Sequence, residues 1–507
     1  MSVIAWPISL GVIGPSRYHQ GLAWLTVGCC VAAWVPSGLR WLRVAQREHY
    51  LAGSVSRFAG RWWRLTPTNL ILAVVALAAA GASLVWPITG VGVAAVVASG
   101  PVGLSLRGRT SPLRWTRRLR VLAVAWVTLE VVVVVIGVAI GLAAPLAVLA
   151  AVVVPVAVDL ACAVTSPLER RLSEHFVREA TERLRRVDPT VVAVTGSYGK
   201  TSTKGHIAHL LRPALTVVAT PASFNNRAGL ARAVNEHLAD GTEVFVAEMG
   251  TYERGEIAEL CQWCPPTIAV ITAIGPVHLE RFGSEDEILA AKSEIAERAI
   301  TVVLNTDDDR LARLGDDLAR RADPPLVVRC SGVDRTADVC VIYDSGVCEV
   351  LLSGSSIAAG VELPEGAQPT NVACAIGVAH QLGVSPVDLV ARLGDLPTVP
   401  HRLAVATAPS GVVVIDDTFN SNPAGARAAL AILASATKEG RRVVVTPGMV
   451  ELGRRQAEEN RIFGRAALEV ATSLVVVGRT NRSALVGAAR QQRPITVRTR
   501  EDAVRWV

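Results

Sequence analysis

The pattern of hydrophobic and polar positions divides the chain near residue 165. Before that point Val, Ala and Leu form long uncharged runs; after it charge returns, and short apolar runs alternate with amphipathic stretches. Five apolar stretches, about 21–36, 69–86, 88–105, 121–143 and 145–164, approach the ~20 residues a helix needs to cross a bilayer. The first is short and Gly100-Pro101 interrupts the third, so the pattern predicts four to six spans, with five as the working number. Several spans follow the first and no basic segment precedes it, which argues against a cleavable leader.

Residues 166–187 then read as an amphipathic connecting helix. Beyond them strand-like runs at 191–195, 244–248, 268–273, 301–304, 412–416, 442–446 and 474–478 alternate with helical patterns. That alternation predicts parallel sheets covered by helices. Segment 326–363 reads as a β-rich excursion, and a second α/β unit starts near Pro400. The expected fold is an α-helical membrane bundle (1–165) followed by α/β: a phosphate-loop central domain with a parallel sheet (188–398) and a Rossmann-like C-terminal domain (399–507).

Composition agrees with this split. The chain has 507 residues, 51% of them hydrophobic and 19% charged, with a formal net charge of +7. Much of the positive charge sits beside the apolar runs. Arg40, Arg43, Arg47, Arg57, Arg61 and Arg64 lie in 37–68 against one acid, Glu48; Arg107, Arg109, Arg114, Arg117, Arg118 and Arg120 lie in 106–120 with none. Anionic lipid headgroups account for these residues better than nucleic acid. With five spans, both Arg-rich loops and the catalytic domains fall on one side, which the positive-inside rule makes cytoplasmic, with the N-terminus outside a cell (inner) membrane. Glu130 and Asp159 fall within the last two spans, and the favoured reading of each is a carboxyl hydrogen-bonded inside the bundle. Nine cysteines make no disulfide framework and read as reduced thiols; Cys261-x-x-Cys264 is the one metal-like spacing, with no second pair to complete it.

The chemistry concentrates at 191–204, VVAVTGSYGKTSTK. A β-branched run feeds a Gly-rich turn and then a helix start, so Gly196, Ser197, Tyr198, Gly199, Lys200, Thr201 and Ser202 form a loop that cradles phosphate. Lys200 meets phosphate charge and Thr201 reaches magnesium. The spacing is G-x-x-G-K-T rather than the longer G-x-x-x-x-G-K-[ST]. In VFVAEMG, Glu248 stands at the end of a buried strand, where ligands bind in open α/β sheets, and is a natural magnesium partner.

Further along, TGSYGKTST, FNN, EMG, IGPVHLERFGS, AAKSEI, LNTDDD, PHR and IDDTFNSNP occur in this order. As a set they resemble the Mur ligase family of ATP-dependent amide-forming enzymes, over about 188–507. The last motif and GMVELG at 448–453 are most similar to the branch that adds D-alanyl-D-alanine to a UDP-muramoyl-tripeptide. The resemblance implies ATP and Mg2+ as cofactors, and activation of a carboxylate as an acyl phosphate that an amino-acid or dipeptide amine then attacks. It implies that Lys200, Glu248, His278 and Lys292 are catalytic, with Thr201 and Glu248 on one metal and His278 and a carbamylated Lys292 serving a second. Asn305, Arg402 and Asp417 match nucleotide-side positions; Asn225, Asn226, Asn420 and Asn422 match the substrate side.

Two departures stand out. A membrane bundle takes the place of the family's soluble N-terminal domain for the UDP end of the precursor, which opens the reading of a lipid-linked carboxylate at the inner leaflet, or of an anchor beside other cell-wall enzymes. The C-terminal patterning also stops at EDAVRWV, shorter than the family's usual extent. The alternatives are a ligase for a poly-γ-glutamate-like polymer or a lipid-linked precursor and, from another class, a nucleotide-regulated transporter or sensor. Against the last, the spans lack matched, broken halves.

Overall fold

The computed structural model describes residues 17–64, 66–104, 113–344, 346–418, 421–436, 440–488 and 493–507; Arg107, Arg109 and Asn420 lie outside them. The chain forms two compact units, 1–174 and 175–507.

The first unit is helical: α1 (Arg17–Arg47), α2 (Ser54–Arg64), α3 (Pro67–Ala82), α4 (Thr89–Ser99), α5 (Arg117–Ala139) and α6 (Ala143–Val187). Thr66 and Thr116 cap α3 and α5 through their hydroxyls. Among the described residues three helices, α1, α5 and α6, are long and apolar enough to cross a membrane; the pair α2 and α3, bent by 110°, makes a fourth if counted as one span. The stretch expected at 88–105 yields only the 11-residue α4, which ends at Gly100. At about 1.5 Å per residue such a helix falls well short of a ~30 Å core. The expected connecting helix is no separate element either: α6 runs unbroken through Ser166, with Pro155 and Pro167 inside it. The polarity changes there, but the helical period does not.

Three buried charged side chains within this unit find local partners. Asp159 Oδ1 accepts from Val55 N (3.1 Å), and Oδ2 accepts from Ser56 N (2.7 Å) and the Ser56 hydroxyl, so this carboxylate caps the start of α2. Glu130 Oε1 accepts from Trp126 Nε1 at 3.1 Å. Arg40 is buried rather than part of a basic loop face: it donates to Leu104 O (3.2 Å), Val97 O (3.4 Å), Ala98 O (3.2 Å) and Gly100 O. Three of those carbonyls close the C-terminal end of α4, where a cation is favourable. The two Arg-rich segments meet, with Gln46 exchanging hydrogen bonds with the Arg114 backbone (2.7 and 2.9 Å) and Arg118 stacking 4.3 Å from the Tyr50 ring centre.

The second unit is built on a nine-stranded sheet: β1 (Thr190–Thr195), β2 (Val217–Ala219), β3 (Val244–Glu248), β4 (Ile268–Ile271), β5 (Thr301–Asn305), β6 (Leu326–Ser331), β7 (Val339–Asp344), β8 (Val347–Leu352) and β9 (Ser355–Val361). The order is β2-β3-β1-β4-β5-β6-β7-β8-β9, parallel as far as β7 and antiparallel through β8 and β9, which form the expected β-rich excursion. Helices α7 (Lys200–Leu211), α8 (Arg227–His237), α9 (Glu256–Trp263), α10 (Leu279–Phe282), α11 (Glu285–Ser293), α12 (Asp309–Ala319) and α13 (Pro369–Gln381) follow the strands. Ala193, Phe245 and Ile271 pack in one core layer; Val194, Val246, Val270 and Ile376 pack in the other. Burial on both faces explains the uninterrupted apolar runs of these strands.

After residue 400 the chain forms β10 (Ala404–Thr407), β11 (Val413–Asp416), β12 (Val443–Thr446), β13 (Ser473–Val477) and β14 (Ile495–Val497). Among the described residues the Rossmann-like sheet has three parallel strands, β12-β13-β14. The 412–416 run lies outside it. The Gly411 turn (φ 81°) folds β11 back on β10 as an antiparallel hairpin, with Ala408 N donating to Val412 O at 2.8 Å.

All nine cysteines are free thiols. Cys261 packs its sulfur 3.9 Å from Met249 Sδ, and burial pushes its thiol up to about 12. Among the described residues no group of three His, Cys, Asp or Glu is placed to hold a metal.

Candidate active site

β1 lies between β3 and β4, so its loop emerges where the chain crosses to opposite sides of the sheet, the place where open α/β sheets bind ligands. The loop itself is tightly determined. Gly196 (φ 148°) and Gly199 (φ 79°) adopt backbone conformations that side chains disfavour, and a Cβ on Gly199 would lie 2.3 Å from Asn371 Oδ1. Gly199 leads into α7 without a side-chain cap, which leaves the first-turn amides available to an anion. Lys200 Nζ donates to Gly196 O at 2.7 Å, and half-buried Thr201 and Ser202 follow it in the first turn. Burial pushes the Lys200 ammonium down to about 8; Glu248 opposes that shift and Arg402 adds to it.

The other loop side chains have different work. Ser197 Oγ donates to Gly275 O (3.1 Å) and accepts from Gly275 N (3.0 Å), pinning the loop to the segment after β4. Tyr198 lays its ring against Gly275, where a Cβ would come within 2.5 Å of it. Both contacts hold the loop in shape.

Glu248, at the end of β3, is buried with three donors on its carboxylate. Thr201 Oγ1 (3.0 Å) and Lys204 Nζ (3.1 Å) reach Oε2, and Asn225 Nδ2 (3.1 Å) reaches Oε1. Thr201 and Glu248, expected to share a metal, are hydrogen-bonded to each other. Sequence reasoning missed Lys204, one helical turn after Lys200, although that spacing puts it on the same face of α7. Asn225 needs the absence of a side chain at Gly250, whose Cβ would sit 2.9 Å from the Asn225 amide carbon.

One cleft gathers Lys200, Asn225, His278 and Lys292, with Tyr252 and Phe282 in its wall. Lys292, on α11, is buried, and its ammonium is held well below the usual lysine range, first by burial and then by the charge of Lys200. His278 (φ 59°) caps α10, its Nδ1 is 2.7 Å from Glu451 Oε2, and the Tyr252 ring meets it edge-on at 4.9 Å. Glu451 also escaped sequence reasoning, which noted GMVELG without giving any of its residues a role.

The remaining expected residues divide. Arg402 is half-buried; burial holds its guanidinium below the usual arginine range, and its charge adds to the lowering at Lys200. Asp417 is half-buried beside Gly425, and burial lifts its carboxyl to about 6 despite Arg402. Asn422 Oδ1 accepts from Gly425 N (2.9 Å) and Asn226 Oδ1 from Gly229 N (2.9 Å), each at the start of a helix. Asn305 donates to Thr272 O (2.9 Å) and accepts from Asp307 N (3.1 Å), tying together the ends of β4 and β5. Short polar side chains thus fix the turns on which the expected ligand-side residues stand.

The donor set bears on magnesium. The Thr201 hydroxyl and Glu248 carboxylate are oxygen donors, the type this cation takes, and they fit it. His278 and an unmodified Lys292 offer nitrogen only and do not fit; burial does favour the neutral amine of Lys292, the form that reacts with carbon dioxide.

Comparison with known proteins places these features. Residues 194–379 match the Mur ligase middle domain, and residues 401–507 match the Mur ligase glutamate ligase domain. The UDP-N-acetylmuramoyl-tripeptide–D-alanyl-D-alanine ligase of Mycobacterium bovis is 36% identical over 312 residues, 58% of this chain and 59% of that protein. The protein of the same name from Bacillus subtilis is 29% identical over 274 residues, 53% of this chain and 58% of its own length. This chain therefore spans less than two thirds of these relatives. Among solved structures, MurF from Acinetobacter baumannii superposes with a TM-score of 0.58 at 26% identity, covering 66% of this chain and 73% of that one. MurF from Thermotoga maritima, solved with ADP, gives 0.55 at 27% identity, covering 64% and 74%.

Proposed function

The chain belongs to the Mur ligase family over residues 194–379 and 401–507, and on that premise we propose that it is an ATP-dependent ligase of cell-wall precursor assembly, joining D-alanyl-D-alanine to a muramoyl-tripeptide carboxylate. The observation that carries this reading is the single cleft holding Lys200, Asn225, His278 and Lys292 beside the Thr201–Glu248 pair.

In this reading the substrate carboxylate oxygen attacks the γ-phosphorus of ATP, the bond to ADP breaks, and an acyl phosphate forms. The amine nitrogen then attacks the acyl carbon; the C–N bond forms, the C–O bond breaks, phosphate leaves with the electron pair, and the nitrogen gives up its proton. Such transfers need positioning and charge neutralisation. Lys200 exchanges the Gly196 carbonyl for phosphate oxygen, and the α7 amides hold the same anion. Lys204 holds the Glu248 carboxylate beside Thr201. Magnesium held by Thr201 and Glu248 supplies neutralising charge on the phosphates. Arg402 adds positive charge from the C-terminal domain. At Lys292 burial favours the neutral amine, which would add to carbon dioxide and lose a proton, placing an anionic oxygen in the cleft.

The first unit supports a multi-pass membrane location with a cytoplasmic catalytic part. In α5 large side chains such as Val124, Val135 and Ile136 are exposed along a helix long and apolar enough to span. The neighbouring Arg-rich segments suit anionic headgroups. A second reading, in which the precursor is lipid-linked, is favoured by the apolar helices of the first unit, which would set the catalytic part beside a membrane.

The test uses full-length protein in detergent with ATP and Mg2+, offered UDP-muramoyl-tripeptide or a lipid-linked muropeptide, with and without D-alanyl-D-alanine. Phosphate release that requires both acid and amine is expected, and the preferred acid separates the two readings. Release independent of any acceptor, yet abolished in Lys200→Ala, would overturn the ligase assignment.

A further inference from the structure

The phosphate loop leans on one short segment, residues 272–275. Ser197 N donates to Ala273 O (2.8 Å), Ser197 Oγ exchanges hydrogen bonds with Gly275 N and O (3.0 and 3.1 Å), and the Thr272 hydroxyl donates to Tyr198 O. Between these contacts, Ile274 gives both of its backbone polar groups to residues outside the loop. Arg310 Nη2 donates to Ile274 O (3.0 Å), and Asp308 Oδ2 accepts from Ile274 N (3.2 Å). Arg310 is clamped on the same Asp308, Nε to Oδ1 at 2.9 Å and Nη2 to Oδ2 at 3.0 Å, the paired geometry that fixes a guanidinium plane. Its Nη1 meets Glu285 Oε2, in the first turn of α11. The other oxygen of Glu285 accepts from Arg455 Nη1 at 2.7 Å, and Arg455 belongs to the C-terminal domain, just before the helix Gln456–Val470. The Arg310 and Glu285 side chains are each 24% exposed and Asp308 12%, whereas Arg455 is 47% exposed.

We infer that Arg310 is a positioning residue for the phosphate loop, and that Arg455, docking on Glu285, lets the C-terminal domain hold it in place. Arg310 acts through the Ile274 peptide, which lies between the two residues that grip Ser197. A docked C-terminal domain therefore raises the affinity of the loop for phosphate, and by linkage bound nucleotide favours docking. The inference rests on the reading that the 196–202 loop holds the phosphates of ATP.

The test is the Kd of a fluorescent ATP analogue for the full-length protein with Mg2+, read beside the KM for ATP and for D-alanyl-D-alanine in turnover. R310Q loses charged hydrogen bonds in a largely buried cluster, so it should weaken the analogue by about tenfold or more. It should raise the KM for ATP by a similar factor and leave the KM for D-alanyl-D-alanine unchanged. R310K, a cation without the paired fork, should recover little of the loss. Arg455 is half-exposed and screened by solvent, so R455Q should weaken the analogue by only about two- to fivefold. In an R310Q background R455Q should add no further loss. E285Q leaves Arg310 on Asp308 and Ile274 and should match R455Q, and in its background R455Q should again add nothing; this pair carries the comparison if R310Q melts early. R329Q, which breaks the ion pair to Asp316 elsewhere on α12, should bind the analogue as the wild type does. Unchanged analogue affinity in R310Q, or an equal loss in R329Q, would overturn the positioning role. Unchanged affinity in R455Q, or losses that add in the double variants, would overturn the link to the C-terminal domain. A wild-type protein that binds no ATP analogue would instead remove the reading of the loop, and this inference with it.

Discussion

Lys204 and Lys292 show how differently two buried lysines behave in one site. Lys204 has an anion: its ammonium is 3.1 Å from Glu248, with both side chains buried. Replacing it with Met leaves a buried carboxylate without its cation, and a broken buried pair costs roughly 3–5 kcal/mol. Denaturant unfolding of Lys204→Met should show a loss of about 3 kcal/mol, toward the low end of that range, because Thr201 and Asn225 still donate to Glu248. Lys292 has burial and a neighbouring cation instead, and both drive it neutral. The unfolded chain then binds a proton that the folded chain does not, so stability rises with pH until the unfolded lysine titrates near about 10.4. Lys292→Met should raise the melting temperature at pH 7 and flatten its rise toward pH 10 in a protein kept free of carbon dioxide. A slope equal to that of the wild type would show that Lys292 is charged in the fold. For turnover, Lys292→Ala should be inactive and regain part of its activity with a short-chain carboxylic acid; full activity without rescue would refute the carbamate.

Among the elements, α2 and the phosphate loop are each held by one unusual contact. Asp159 caps α2 by accepting from two successive backbone amides, so Asp159→Ala leaves buried donors unmet and should cost about 1–3 kcal/mol in thermal or denaturant unfolding. The same change should leave ATP turnover intact, because all its contacts lie in the helical unit. In the loop, Gly199→Ala forces a Cβ toward Asn371 at a φ of 79°. Nucleotide affinity measured with a fluorescent ATP analogue should fall by at least about tenfold, given a strain of order 1–3 kcal/mol. Affinity equal to the wild type would mean that the loop relaxes freely.

For the whole molecule the division at residue 174 predicts two unfolding events with different ligand responses. ADP with Mg2+ at about 100 times its Kd should stabilise the event belonging to 175–507 by about 2.7 kcal/mol, leaving that of 1–174 in place. Calorimetry of the full chain in detergent checks this, and a common shift of both events would show that they unfold as one.

The sequence by itself determined the elements and the chemistry written in contiguous runs. Strands buried on both faces are continuous apolar runs, and a Gly-rich turn between strand and helix start can hardly be anything but an anion cradle, so β1, β3, β4, β5 and the 196–202 loop were legible. Glu248 followed from its place at a strand end. Tertiary structure alone decided what depends on partners distant in the chain. It brought Glu451 to His278, and it turned Asn305 inward to clamp two strand ends. It also buried Arg40 on the end of α4 and folded β11 into a hairpin away from the parallel sheet. The physical reason is common to all of these. Propensity and periodicity act within a few residues, whereas the partner of a buried charge or amide is chosen by which segments packing brings within hydrogen-bonding distance.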